Sequence, residues 1–439
     1  TFLLGFFMVY LAYLAFAEVS FSGKRMEYSV IGIMAVICIV ETGYNASVCI
    51  EGLGNQFGYM DISEYTSFYE KTSPLTELAK SEDDGLYRMD KDYFFSLNDS
   101  MLLGYHSLTH YSSTYNAMIN ATTPRLGLAQ TWFWNSGFGA TPLVDSLLGV
   151  KYRMATKIVP EVYEEVAKSG DVTLYKNPLV LPFCFPAKEA CFDLNELSGD
   201  VFQNQNSLLS ALTGEGREYL TPQEYTRDDQ DANVTLSFAA GSDQPMYLYM
   251  HATGGSWGEI YVNGQFVNKY FSSETTCAVY MGTFSLGERV SVEVRSENAS
   301  FDAAWIAALH MTELKEALEK LRGGAIQIES HRGGSLSGTI EVGEGECIAT
   351  SIPFEKGYTV KIDGKKVPYE SYLGTFLAIR TSPGKHTLSL SFSPPGFKTG
   401  LLLSGIAICI MGFYFAGAGE ILDRLKKSGN RMKRNGGAV

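Results

Sequence analysis

The sequence contains no CxxC or HExxH motif, and its histidines number six in 439 residues. These absences argue against a structural zinc cluster and a zinc protease. The stretches GTFSLGE and GGSLSG do not match the GxSxG nucleophile elbow of α/β-hydrolases. The glycine-rich stretch HATGGSWGE lacks the lysine and the helix of a phosphate-binding loop. His106 and His110 are four residues apart in HSLTH, but the glutamate of a helical zinc motif is missing. We therefore expect no metal and no bound cofactor.

Basic charge is scarce through most of the chain. Residues 46–395 carry 26 Lys and Arg against 43 Asp and Glu, a net charge of −17. A nucleic-acid partner needs a basic face, so this balance argues against one. The same 350 residues are rich in Tyr and Phe and are long enough to bury several cores.

Cysteine gives little information about the fold. Cys38 and Cys409 lie in apolar runs, which leaves an odd number of five elsewhere. Cys184 and Cys191, in CFPAKEAC, form either a disulfide or two independent buried thiols.

Long runs without charge are present. They occupy residues 1–17 and 399–419, and a weaker run starts at Tyr28 and continues to about residue 50 with one charge at Glu41. About 20 mostly apolar residues cross the hydrocarbon core of a bilayer as a helix. The chain begins with Thr inside such a run, so we expect it to be the C-terminal part of a longer multi-span protein.

Basic residues beside these runs predict their orientation. Lys24 and Arg25 lie between the first two runs, and six further Lys and Arg residues lie within residues 421–439. Short basic flanks remain in the cytoplasm. We predict a multi-pass protein of the cell membrane with residues 46–395 on the extracytoplasmic side.

Residue patterns predict an α+β membrane protein, in which transmembrane helices flank a large extracytoplasmic region. Segments around GLYRMD and DVTLYK read as strands between helical patterns, whereas from Asn233 onward the period approaches two, with Asn263-Gly264 and Asp363-Gly364 as hairpin turns. The region is thus an α/β module followed by antiparallel β-sandwich (jelly-roll-like) modules. The predicted divisions are two transmembrane helices with a short cytoplasmic loop (1–45), the α/β module (46–190), a first sandwich with a helical interlude (191–322), a second sandwich (323–396), a C-terminal transmembrane helix (397–420) and a basic cytoplasmic tail (421–439).

Several segments resemble one family. They are SIPFEKGYTVKIDGKKV, SPGKHTLSLSFSPPGFKTG running into the last apolar run, LYRMD, NDSMLLGYHSLTHYSS, LLGVKYRM and VFQNQNSLLSALTG. In their order along the chain they are similar to the YfhO family of bacterial multi-span membrane proteins. The departure is Tyr358, where many members carry Trp.

The resemblance implies a GT-C-like glycosyltransferase that takes a sugar from a polyprenyl-phosphate donor outside the membrane and attaches it to a cell-envelope polymer such as lipoteichoic acid. It also implies that the catalytic loop lies upstream of Thr1. The partners it implies are membrane lipid, the polyprenyl-linked sugar and the envelope glycopolymer. This portion would cover the active site or orient the acceptor. A non-catalytic carbohydrate-binding or polymer-assembly module anchored in the membrane fits the sandwich pattern equally well.

One aromatic cluster has the composition of a sugar-binding surface. Aromatic rings stack on the C–H faces of pyranoses, while amides and imidazoles bind hydroxyls. The stretches GYHSLTHYSSTYN and QTWFWNSGFG supply the candidate residues Tyr105, His106, His110, Tyr111, Trp132 and Trp134. Core packing with hydrogen-bonded histidines is the alternative for each of them.

Overall fold

The computed structural model describes residues 24–435 except residues 60, 94, 132, 231–232, 254–257, 271–275 and 297–299. The chain divides into two compact units, Thr1–Phe68 and Tyr69–Val439. The first run predicted to cross the membrane, residues 1–17, lies outside the described residues. In the described part, eight α-helices are α1 Lys24–Phe57, α2 Ile62–Glu82, α3 Asp99–Leu103, α4 Ala117–Thr122, α5 Pro142–Leu147, α6 Val201–Thr213, α7 Met311–Arg322 and α8 Phe397–Asn435.

The strands fall into three groups along the chain. The first group is β1 Arg88–Lys91, β2 His110–Tyr111, β3 Gln130–Thr131, β4 Trp134–Asn135, β5 Val150–Ala155, β6 Glu164–Ser169, β7 Val172–Lys176 and β8 Cys184–Lys188. The second is β9 Leu220–Pro222, β10 Thr226–Gln230, β11 Asn233–Ala239, β12 Pro245–Thr253, β13 Gly258–Val262, β14 Gln265–Tyr270, β15 Val279–Thr283, β16 Arg289–Ser296 and β17 Ser300–Leu309. The third is β18 Gln327–Arg332, β19 Ser335–Val342, β20 Glu346–Pro353, β21 Tyr358–Ile362, β22 Lys365–Val367, β23 Glu370–Tyr372, β24 Phe376–Ile379 and β25 Gly384–Phe392.

Two described helices are long and apolar enough to span a membrane. The qualifying segments are Ala35–Phe57 of α1 and Phe397–Phe415 of α8. Both segments are unburied within the protein, and the side chains of Leu401, Ile408 and Phe413 are more than 60% exposed. Exposed apolar side chains on a helix this long match a lipid environment better than water.

Four strands of the first group form the mixed sheet of the α/β module, and β2, β4 and β3 form a small separate sheet. The strand order of the mixed sheet is β1-β5-β7-β6, with β1 parallel to β5 and the other pairs antiparallel. Leu75 and Ala79 of α2 pack with Met89, Tyr152 and Leu174 of the sheet in one buried cluster. The helix and strands predicted from this part of the sequence are therefore confirmed.

The second group forms the first β-sandwich. Sheets β10-β11-β16-β13-β14 and β15-β12-β17-β9 face each other across a buried cluster. Burial alternates along β11 and β16, so every second residue enters the core. Asn263 and Gly264 both have positive φ, 49° and 79°, as a type I′ hairpin turn requires, and β13 pairs with β14 across them.

The third group forms the second β-sandwich. Its sheets are β18-β19-β25-β21-β22 and β23-β24-β20-β8, which share a second buried cluster. Asp363 and Gly364 form the same kind of turn, with φ of 52° and 78°. Strand β8 precedes the boundary predicted at residue 190 and yet pairs along β20, so the chain enters this sandwich twice.

A shared core joins the α/β module and the two sandwiches. Helices α6 and α7 pack in a cluster that also holds Phe185 of β8, Tyr247 of β12 and Phe376 of β24. Helix α7, predicted from MTELKEALEKLRGG, places four residues on its buried face: Leu314, Ala317, Leu318 and Leu321. These parts therefore hold each other in place, which fixes the walls of the site described next.

Candidate functional site

A cavity of about 560 Å³ lies between the α/β module and the first sandwich. Its aromatic lining consists of Tyr93, Trp134, Phe138, Tyr163, Tyr247, Phe266 and Tyr280. Its polar and charged lining consists of Asp92, Arg153, Lys157, Asn268 and Lys269. The volume lies in the range of cavities that hold small ligands, and the mixture of rings and a few polar groups is typical of them.

The aromatic rings run from a buried floor to an exposed rim. Trp134 is 5% exposed and meets Phe138 edge to face, with ring centroids 5.9 Å apart. Tyr247 is buried, and its ring centroid lies 5.5 Å from that of Tyr280. Phe266 on β14 is 51% exposed. A ligand entering past Phe266 would therefore meet apolar ring surface along its whole path.

A buried ion pair underlies the floor. Arg153 donates from Nε and Nη2 to the two oxygens of Asp145, at 2.9 and 2.6 Å, and the Tyr163 hydroxyl donates to the same carboxylate at 2.6 Å. Arg153 Nη2 also donates to the Gly137 carbonyl at 3.3 Å. Two parallel bonds of this kind fix the plane of the guanidinium.

Charge is retained in this pair. Burial disfavours the charged guanidinium, but the Asp145 carboxylate outweighs burial and raises the pKa of Arg153. Burial also raises the pKa of Asp145, while Arg153 and Tyr163 oppose that shift. Three donor contacts on one carboxyl group satisfy its ionised form, so the ion pair is the state that this geometry supports.

The floor also holds a hydroxyl group without a partner. Among the described residues, the buried Tyr247 hydroxyl has no hydrogen bond. Burial raises the pKa of Tyr247 well above its ordinary value, so the group remains a neutral donor and acceptor. The neighbouring Arg153 does not serve as its partner, because its hydrogen bonds from Nε and Nη2 go to Asp145 and Gly137. A buried hydroxyl group left unpaired is unfavourable by about 1–3 kcal/mol, which a ligand oxygen would recover.

The rim is basic although the surrounding protein is acidic. Lys157 Nζ donates to Asn268 Oδ1 at 2.6 Å and so links the α/β module to β14. The Asp92 carboxylate accepts from the backbone and hydroxyl of Thr156 and from the backbone of Lys157, at 2.9 to 3.0 Å. Lys269 is exposed. The rim therefore has two cations beside one carboxylate that is already occupied by donors.

Close backbone packing holds the walls together. Gly139 has a φ of 84°, and a Cβ atom there would lie 2.3 Å from the Gly127 carbonyl oxygen and 2.6 Å from the Cys277 Cβ. The same Gly127 carbonyl accepts the backbone N–H of Ala278 at 2.7 Å. Only glycine fits this position, which fastens the α/β module to the start of β15.

The six residues predicted as a sugar-binding cluster have different positions. Trp134 lines the cavity, and His110 and Tyr111 on β2 pair with Asn135 and Trp134 on β4. Tyr111 is 42% exposed, and neither it nor His110 lines the cavity. Trp132 lies outside the described residues.

Tyr105 and His106 lie beside β1, away from this cavity. Tyr105 packs against the buried cluster of the mixed sheet, and burial raises its pKa well above the ordinary value. The His106 carbonyl accepts a hydrogen bond from the Met89 N–H at 2.8 Å. Partial burial and, to a smaller extent, the positive charge of Arg88 lower the pKa of the His106 imidazole. The following loop is held by Asp90, which accepts bonds from Ser107, Leu108 and Thr109. A sugar-binding role for the six residues stays a prediction.

Of the lining residues the sequence singled out only Trp134, so that Arg153, Tyr163, Tyr247 and Tyr280, among others, were missed. Two signals were available in the sequence. Arg153 interrupts the buried strand VKYRMA, and a buried charge needs a partner. Strand β12 reads PMYLYMHAT, an apolar run on both faces, which indicates that the sheet is covered on both sides.

Comparisons with known proteins identify a family. A family model described as bacterial membrane protein YfhO matches residues 1–404. The uncharacterized protein YfhO of Bacillus subtilis (strain 168) is 21% identical over 456 residues, which cover 90% of this chain and 51% of that protein. The chain therefore spans about half the length of this relative.

Solved structures show only distant likeness. An active-site mutant of a family two carbohydrate esterase from Clostridium thermocellum is 13% identical over 19% of this chain and 30% of that chain, with a TM-score of 0.14. A β-glucuronidase from Ruminococcus gnavus in complex with D-glucuronic acid is 10% identical over 38% of this chain and 36% of that chain, with a TM-score of 0.16. At these TM-scores neither likeness bears on the role of the cavity.

Proposed function

The chain belongs to the YfhO family of bacterial membrane proteins, and from this premise we propose that it is the acceptor-orienting part of a membrane-bound glycosyltransferase. The donor is a sugar carried on a polyprenyl phosphate. The acceptor is a cell-envelope polymer of the lipoteichoic acid kind, on the outer side of the membrane. The cavity between the α/β module and the first sandwich holds one or two sugar-sized units of that acceptor.

The unpaired Tyr247 hydroxyl in an aromatic cavity carries this proposal. A sugar offers both apolar C–H faces for rings such as Trp134 and Tyr280, and hydroxyl groups for Tyr247. A purely apolar ligand would leave the hydroxyl unsatisfied, and a strongly charged ligand would have to compete with the closed ion pair of Arg153 and Asp145. An uncharged polyhydroxylated ring fits both parts of the lining.

Binding, rather than bond cleavage, is the chemistry that this cavity supports. Asp92 is the one carboxylate in its described lining, and three donors already occupy it. A general base must lie within hydrogen-bond reach of the proton that it removes, whereas this carboxylate is engaged in holding Thr156 and Lys157 in place. In this proposal the catalytic groups belong to the part of the protein upstream of Thr1.

Tyr247→Phe tests the proposal. We expect weaker binding of acceptor fragments to the detergent-solubilised chain and lower acceptor glycosylation by the full-length protein, without loss of folding. Tyr225→Phe is the matched control, because its hydroxyl donates to the Ala304 carbonyl at 2.7 Å in the same sandwich and does not line the cavity. Equal binding by both variants and the unchanged chain would refute a sugar site here.

A membrane-anchored carbohydrate-binding module without a transferase partner is the second candidate, favoured by the occupied carboxylate in the cavity. A labelled polyprenyl-linked sugar separates the two functions. Transfer by membranes containing the full-length protein, and none by this chain alone, supports the glycosyltransferase. Acceptor binding by the chain with no transfer by the full-length protein supports the second candidate.

A further inference from the structure

Two cysteine side chains far apart in sequence meet in the shared core. Cys191 lies in the 3₁₀ turn Glu189–Asp193 that follows β8, and Cys347 lies on β20. Both are fully buried, and their sulfur atoms are 3.6 Å apart. The positions are 156 residues apart along the chain.

The surrounding backbone holds these thiols in register. Strand β8 runs antiparallel to β20, with Ala187 opposite Cys347. Just beyond the strand, the Glu189 N–H donates to the Gly345 carbonyl at 3.2 Å. The turn that carries Cys191 is therefore fixed over the start of β20, and the two sulfurs face each other as a result of strand pairing.

Two other described cysteines are buried in different cores. Cys184 and Cys277 lie in the cores of the second and first sandwich respectively. Cys184 and Cys191, for which the sequence allowed either a disulfide or two independent buried thiols, are not joined to each other. Strand β8 places Cys184 among Ile326 and Ile348, whereas Cys191 lies in the shared core.

We propose that Cys191 and Cys347 are a disulfide pair, oxidised while the chain folds. The two S–H bonds break and one Sγ–Sγ bond forms. The two electrons reduce the disulfide of an oxidant, whose sulfurs take up the two protons. Oxidised glutathione leaves as two glutathione thiols, and a thiol–disulfide oxidoreductase leaves in its dithiol form. A disulfide has sulfur atoms about 2.05 Å apart, so the pair must approach by about 1.5 Å, which is within the reach of side-chain rotation.

Burial determines when this reaction can occur. The hydrogen bond with Cys191, and then burial, raise the pKa of Cys347, so the folded protein contains little of the reactive thiolate. The thiols are accessible before the shared core closes. In the folded protein the bond would tie β8 to β20 and enclose the whole first sandwich in one covalent loop. This inference is independent of sugar binding and makes no use of the proposed acceptor site.

Refolding with a defined oxidant tests the pair. The full chain is reduced, unfolded and refolded in detergent with oxidised glutathione, then denatured in acid and treated with N-ethylmaleimide before proteolysis and mass spectrometry. We expect a cross-linked peptide containing residues 191 and 347, lighter by two hydrogens than the sum of the two thiol peptides. Quantitative alkylation of both cysteines would overturn the proposal.

Matched variants identify the bond by a second measurement. Reductant should lower the melting temperature of the refolded chain and of Cys184→Ser, which removes an equally buried thiol outside the pair. It should leave the melting temperature of Cys191→Ser unchanged. An equal effect on all three would overturn the assignment. The oxidation state of the same peptides from cell membranes then reports on the proposed extracytoplasmic location, separately from the pairing itself.

Discussion

At the scale of single residues, the cavity joins two kinds of side chain that respond differently to truncation. Trp134 is both a wall of the cavity and a buried core residue, since 5% of it is exposed. Tyr111 comes from the same predicted cluster and is 42% exposed. The sequence places both in one aromatic cluster, and only the fold separates a wall from a surface.

Trp134→Ala should destabilise the protein strongly. Loss of a buried indole leaves a void beside Phe138, and such truncations reduce the free energy of unfolding by about 3–5 kcal/mol. Tyr111→Ala is the control, with an expected loss below about 1 kcal/mol. Chemical denaturation of both variants measures the difference, and a wild-type midpoint for Trp134→Ala would contradict its buried position.

The buried pair of Arg153 and Asp145 predicts strongly non-additive mutations. Asp145→Ala leaves a buried guanidinium without its counter-ion and should reduce the free energy of unfolding by about 3–5 kcal/mol. Arg153→Leu should have an effect of similar size, because it leaves the carboxylate alone. The double variant should be more stable than the sum of the single losses predicts.

An exposed pair provides the comparison. Lys168 and Glu165 are 60% and 50% exposed, and Lys168→Ala should change the free energy of unfolding by about 1 kcal/mol or less. Urea denaturation of the five proteins completes the cycle. Additive effects of Asp145→Ala and Arg153→Leu would show that the two groups do not interact.

The sequence singled out Trp134 among the lining residues, but not Tyr247 or Arg153, for a physical reason. Trp134 stands in a local cluster of aromatic residues that is visible in the sequence. Tyr247 and Arg153 line one cavity only because segments almost a hundred residues apart meet in the fold. Local patterns of polarity contain no information about which strand faces which loop.

At the scale of secondary-structure elements, the turn of the β21–β22 hairpin is tied to β25 by a titrating pair. His386 Nδ1 lies 2.8 Å from Asp363 Oδ2, and the Thr387 N–H donates to the other Asp363 oxygen at 2.9 Å. The bond to Asp363 raises the pKa of His386, and the bond to His386 lowers the pKa of Asp363.

The direction of the pH effect follows from these shifts. The contribution of His386 is complete below its ordinary pKa of 6.5 and is lost as pH rises through the higher folded value. The contribution of Asp363 is present above its ordinary pKa of 3.8 and is lost as pH falls through the lower folded value. The pair therefore stabilises the hairpin most between these two ordinary values.

Asp363→Asn should lower the folded pKa of His386 toward 6.5, as read by NMR titration of the imidazole. Asparagine keeps an acceptor for Thr387 and tolerates the positive φ of 52° at this position. The unfolding midpoint of the unchanged protein should fall as pH rises above 6.5, and that of the variant should fall less. The same His386 pKa in both proteins would show that the contact is not formed in solution.

The elements themselves were largely predictable. Alternation along β11, β16 and β19 is a local property, and so is the turn chemistry of Asn263-Gly264 and Asp363-Gly364. The two-residue strands β2, β3 and β4 were not predictable, because they are too short to show a period. Nor was the pairing of β8 with β20, which is a non-local choice between strands of similar composition.

At the scale of the whole molecule, the two candidate spans make the topology testable. Basic residues of α8 beyond the candidate span Phe397–Phe415, including Lys426 and Lys427, predict a cytoplasmic C terminus. In intact cells, a membrane-impermeant thiol reagent should label Asp243→Cys, at an exposed position, and should not label Lys427→Cys. Permeabilised cells provide the control, in which both positions should react. Labelling of Lys427→Cys from outside would reverse the assigned orientation.

The order in which the chain emerges during synthesis gives the pairing of β8 a further consequence. Ala187 appears 160 positions before its partner Cys347, and the first sandwich can close in the interval. Contacts between residues so far apart in sequence slow folding. A strand whose backbone N–H and C=O groups are still unpaired can pair with a strand of another chain. We therefore expect nascent β8 to depend on a chaperone or on rapid synthesis until β20 is available. A chain that stops before β20 should expose an aggregation-prone strand edge instead of forming a smaller stable protein.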